Sequence, residues 1–100
     1  MPKLSISVPF QIPQDEALRR IQTRIAQIKA QYSSTVGDLS ENWNGYVGTF
    51  SGWARGFSVS GILTVNPSDV IVEIPLPFIA LPFKGQIETG IRNELTTLLA

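Results

Sequence analysis

Residues 57–74 read FSVSGILTVNPSDVIVEI, and the fold turns on this stretch. Phe57, Val59, Gly61, Leu63 and Val65 occupy every second position, with Ser58, Ser60 and Thr64 among the residues between them. A repeat of two is that of a strand, whose side chains point alternately to opposite faces. Asn66-Pro67-Ser68-Asp69 breaks the run: proline presets the backbone angle a turn requires, and Asn, Ser and Asp bond their own backbone there. Alternation resumes at Val70, Val72, Ile74 and Leu76, with Glu73 on the opposite side. Two strands joined by so short a turn pair antiparallel, and an apolar sheet face needs a cover.

The segments upstream extend the sheet. Residues 39–43 and 46–51 read as a hairpin, with Asn44-Gly45 as the central pair of a type I′ turn, which needs positive φ at both positions. Residues 51–56, in which Gly52 and Gly56 flank Trp53 and Arg55, read as a longer loop or an irregular hairpin. At the start, Leu4, Ile6, Val8 and Phe10 alternate with Lys3, Ser5 and Ser7, until Pro9 and Pro13, which lack the amide donor a ladder uses.

The remaining segments change period. Leu18, Ile21, Ile25, Ile28 and Tyr32 recur at three and four, one stripe on a helix over 15–34, with Asp15 and Glu16 in its favourable first turn and Ser33, Ser34 and Gly37 as stop signals. Phe83, Ile87, Ile91, Leu95 and Leu98 repeat the pattern, with Glu88 and Arg92 as an i,i+4 pair. Gly85 and Gly90 in this helix point to close packing against the sheet. The order β-α-β-β-β-β-α predicts one α+β domain over residues 1–100: a two-layer sandwich of about five mainly antiparallel strands with both helices on one face.

Composition narrows the function. Charged residues make up 16% of the chain, below the roughly 25% of typical domains, so much of the surface is neutral. Eight basic residues balance eight acidic ones, which argues against non-specific nucleic-acid binding. Without histidine or cysteine, imidazole catalysis, thiol chemistry, disulfides and His/Cys metal ligation are excluded. No apolar run approaches the roughly 18 residues of a transmembrane helix, and no signal peptide is visible, so the expected location is cytoplasmic.

No catalytic constellation emerges, and no cofactor or metal is expected. Ser58 and Ser60 lie on an alternating strand without a base. Asp38 with Glu41, and Asp69 with Glu73, read as surface charge near turns. Lys84-Gly85 at the head of the last helix matches no phosphate-binding pattern. The aromatics carry more information: Tyr46, Trp53, Arg55, Phe57, Phe78 and Phe83 form a candidate interaction surface, since exposed Trp and Arg are enriched at interfaces. The competing expectation folds Trp53 back over the sheet edge, and uses residues 74–83 to plug the open end of the sandwich.

Several motifs together resemble a known family. Lys84-Gly85-Gln86-Ile87-Glu88, followed by Ile91 and Glu94-Leu95, is similar to the C-terminal end of the polyhydroxyalkanoic acid system family. Trp43 with Phe50, then Gly61, Leu63 and Val65, and earlier Leu4, Ile6 and Ala17, match in order. Phe10 stands where that family commonly has histidine, and the stretch 51–60 is longer than usual and adds Trp53. The family's activity is unknown, so the resemblance implies a setting in storage-polymer biology rather than a reaction. The expected function is that of a non-enzymatic interaction or accessory protein, binding a protein partner, itself or a storage-granule surface. The alternative is a small apolar-ligand binder whose sheet grips the last helix, with Gly48, Gly61 and Gly90 leaving room between them.

Overall fold

A computed structural model describes residues 2–32, 36–54 and 57–100, with the side chains at 36–38, 54 and 57 outside that description. The strands are β1 (Lys3–Pro9), β2 (Val36–Asn44), β3 (Val47–Ala54), β4 (Phe57–Val65) and β5 (Asp69–Pro75). Helix α1 (Gln14–Gln31) follows β1, and a 3-10 helix (Phe78–Phe83) leads into α2 (Lys84–Leu98). The α+β order expected from the sequence is the order observed.

The strands form one antiparallel sheet in the order β1-β5-β4-β3-β2. β2 to β5 run as a meander, and β1 closes on β5 with Ile6 opposite Val72 and Val8 opposite Val70. β1 and β2 are therefore the two edges, and α1 crosses the sheet to join them. Leu4, Ile6 and Val8 are buried with Val70, Val72, Leu63 and Val65 on one face. Each such side chain contributes about 1.5–3 kcal/mol by leaving water. Ala17 and Ile21 of α1, with Leu95 of α2 and Leu99 after it, belong to the same cluster, so both helices cover the same face.

Polar contacts fix the helices in place. The Arg20 guanidinium donates to the carbonyls of Leu98 at 3.1 Å and Ala100 at 3.0 Å, placing a cation at the negative end of α2. Arg24 pairs with Glu94 across the two helices. Arg92 donates to the Ser7 carbonyl at 3.0 Å, occupying an acceptor on the β1 edge.

Three local expectations change. The hairpin turn falls one residue later than the Asn44-Gly45 reading: Asn44 pairs with Val47, leaving Gly45 and Tyr46 between. Gly45 alone among the described glycines has positive φ, at 60°, in the first central position, where a type II′ turn places glycine. Gly37 lies in β2 rather than ending α1, and β2 shifts register between Gly37 and Ser40; Ser33 and Ser34 lie outside the described residues. Gly85 and Gly90 face open space, so close packing does not account for them.

Candidate functional site: an apolar groove between sheet and helices

The inward alternation of β3 and β4 continues past the ends of the helical cover. Leu63 and Val65 are buried, while Val59, two steps back from Gly61 on the same face, remains 41% exposed. Across the ladder Phe50 sits opposite Gly61, and Gly61 adds no side chain to the space between them. Ile25 of α1 and Ile87 of α2 border this space from above, and Ile79, Ala80 and Phe83 of the 3-10 helix border it from the side. The result is an open groove of about 840 Å³, within the size range of small-molecule sites. None of its described lining residues is charged, and Ser51, Ser58 and Ser60 bring its only hydroxyl-bearing side chains.

A second cluster braces the Phe50 wall. The Trp43 ring meets Phe50 edge-on, with centroids 5.8 Å apart and planes at 85°. The same indole lies over Gly48, its cross-strand partner, so closely that a Cβ there would come within 2.8 Å of the ring. The indole Nε1 donates to Glu41 Oε2 at 2.6 Å, and Lys29 Nζ of α1 lies 3.5 Å from Glu41 Oε1. Of the three glycines expected to leave room for a ligand, only Gly61 does so: Trp43 fills the space at Gly48, and Gly90 faces outward.

The sequence-derived interaction residues do not form one surface. Tyr46 lies at the turn end of β3 and donates its hydroxyl to Asp15 at the head of α1; this hydrogen bond is the main reason that its pKa is raised. Trp53 lies at the far end of the same strand, 54% exposed, rather than folded away. Arg55 and the Phe57 side chain lie outside the described residues. Within 74–83, Leu76 is buried in the core with Ile74 and Ala80 packed against it, while Phe78 and Phe83 are both exposed, so the segment plugs the sandwich only in part; Phe83 lines the groove and Phe78 lies outside it.

Three of the four carboxylates in the two acidic pairs have structural partners. Glu41 holds Trp43, and the Asp38 side chain is outside the described residues. Asp69 accepts from Ser7 and Asn66, and Glu73 pairs with Lys3 at 2.7 Å. Sequence reasoning identified Phe83 but missed Ile25, Phe50 and Ile87 as groove residues. Their spacing marks them as inward-facing, and nothing in that spacing shows that the space they face is empty.

Comparisons with known proteins place the chain. A family model described as "Putative polyhydroxyalkanoic acid system protein" matches residues 4–99. No curated protein matches. Among solved structures, TTHA0849 from Thermus thermophilus aligns over 98% of this chain and 92% of its own, at 10% identity and a TM-score of 0.34. No described helix is long and apolar enough to cross a membrane.

Proposed function

This chain belongs to the polyhydroxyalkanoic acid system family, and from that premise we propose that it is a non-catalytic accessory module that holds an aliphatic chain in its groove. One observation carries the reading: a space of about 840 Å³ bordered by uncharged side chains, between a sheet and the helices that cover only part of it. Water in such a space has few partners, and an apolar guest that displaces it gains roughly 25 cal/mol for each Å² of apolar surface removed from water. A polyhydroxyalkanoic acid is an aliphatic chain interrupted by ester groups, and a segment of it matches the groove in chemistry. Glu41, Asp69 and Glu73, three of the four acidic side chains singled out in the sequence, are engaged with Trp43, Ser7, Asn66 and Lys3, which supports binding rather than catalysis. The net charge of zero favours a neutral ligand over nucleic acid, and the absence of cysteine suits the cytoplasm.

The test is a titration of the full chain with a fluorescent long-chain fatty acid, with a short hydroxyalkanoate oligomer as competitor. Saturable one-to-one binding, displaced by the oligomer, is expected. Gly61→Leu is the decisive variant. A Cβ at Gly61 meets its nearest neighbours, the Glu73 carbonyl and Ile74 Cγ1, at an ordinary 3.5 Å, so the larger side chain extends into the groove without disturbing the sheet. It should weaken binding by about tenfold or more, the equivalent of a methyl-rich side chain's worth of lost contact. A wild-type chain that shows no saturation, or a folded Gly61→Leu chain that binds equally well, overturns the reading.

A further inference from the structure

Residues 74–83, IPLPFIALPF, contain no ionisable side chain, and the structure places their largest members in water. Phe78 is 73% exposed, Ile79 66%, Phe83 56% and Leu81 37%. The 3-10 helix explains how one short element serves two sides. At three residues per turn, Phe78 and Leu81 share one face, while Ile79, Ala80 and Phe83 border the groove. The outward face of this turn is therefore apolar, outside the groove and next to its mouth.

We propose that this turn inserts into the hydrocarbon layer of a lipid surface, with the groove mouth turned towards that surface. The turn itself carries the docking; only the orientation of the mouth rests on the groove function proposed above. Three features favour lipid over a protein partner. The four exposed side chains offer on the order of 400 Å², about half of the roughly 800 Å² that each partner buries in a stable protein interface. None of them has a hydrogen-bonding group, whereas protein interfaces carry about one hydrogen bond per 100–200 Å². The backbone presents few free donors to an apolar phase, the amides of Phe78 and Ile79 at the head of the turn being left to the headgroup layer. Pro75, Pro77 and Pro82 have no amide hydrogen, the Leu76 amide donates to Pro2 O at 2.8 Å, and the Ala80 amide donates to Pro77 O at 2.9 Å. Lys84, exposed directly after the turn, sits where an ammonium on a flexible stem reaches the phosphates of the headgroup layer.

The test is flotation of the full chain with vesicles of phosphatidylcholine containing a minor share of phosphatidylglycerol. Wild type is expected to float with the vesicles. The double variant Phe78→Ser/Leu81→Ser, altered only at positions outside the groove, should lose at least about tenfold in partitioning while still binding the soluble fluorescent acid. Phe78→Trp should emit at shorter wavelength on vesicles and be quenched by lipids brominated in their acyl chains. Gly61→Leu should float like wild type, so failure of the groove reading and failure of the docking reading are distinguishable. Wild type remaining in the aqueous fraction overturns the proposal. So does flotation unchanged in the double variant, binding to solid polyester particles but not to vesicles, or a light-scattering mass that doubles without lipid and returns to monomer in the double variant.

Discussion

At Gly48 the limit on residue size comes from across the ladder. The Trp43 ring occupies the position that a side chain would take, and that ring is held by the Glu41 carboxylate and by the edge of Phe50. Gly48→Ala must displace either the indole or the strand, so a loss of about 1–3 kcal/mol is expected in chemical denaturation. Trp43 fluorescence should shift as the ring leaves its hydrogen bond. A neutral Gly48→Ala would mean that the ring is free to move aside. Gly90 is the opposite case. It lies on α2, and a Cβ added there would meet nothing within 4 Å. Gly90→Ala should therefore stabilise the protein by about 0.5–1 kcal/mol, because alanine loses less backbone freedom and favours helix. A destabilised Gly90→Ala chain would reveal a contact at this face that the isolated chain does not make.

At the scale of elements, the head of α1 carries a charge cluster with a definite pH signature. Glu16 accepts from Arg19 at 2.7 and 2.8 Å and from Arg20 at 3.2 Å. These two guanidinium groups, Arg19 foremost, lower its pKa from 4.5 to about 2. Because the folded-state value is the lower one, the stability this cluster adds is complete above pH 4.5 and is lost as pH falls towards 2. Glu16→Gln should flatten the acid limb of the stability profile within that window and leave the profile near neutrality parallel to wild type; an unchanged acid limb contradicts this. The elements themselves were legible because their periods differ. Leu4, Ile6 and Val8 step by two, while Ile21 and Ile25, or Ile91 and Leu95, step by four. The hairpin turn was misplaced by one residue because Asn-Gly and Gly-X turns both put glycine beside a polar residue. Which pair becomes central depends on how far the ladder extends, and here Asn44 pairs with Val47.

At the scale of the molecule, alternation identifies the inward face of a strand without showing where its cover ends. Phe57, Val59, Gly61, Leu63 and Val65 form one pattern in the sequence. In the fold, Val65 is buried away from the groove and Leu63 is buried at its lining, while Val59 and Gly61 border open space. The groove therefore arises from where the helical cover over β3 and β4 stops and from the placement of the 3-10 helix along its border. Neither can be read from local spacing. The exposed turn was visible as a proline-punctuated apolar run, but its outward placement depends on Leu76 being buried and Phe78 being left beyond the sheet. The family match over residues 4–99 agrees with an architecture organised along the whole chain rather than around a local motif.

The most direct measurement is an isotope-filtered NMR experiment on the full chain with an unlabelled fatty acid, recording which protein protons lie against the acyl chain. The groove account predicts contacts from the acyl methylenes to Phe50, Leu63, Ile79 and Ile87 together. Contacts confined to Phe78 and Leu81, or no intermolecular contacts under conditions where the acid is bound, would contradict it.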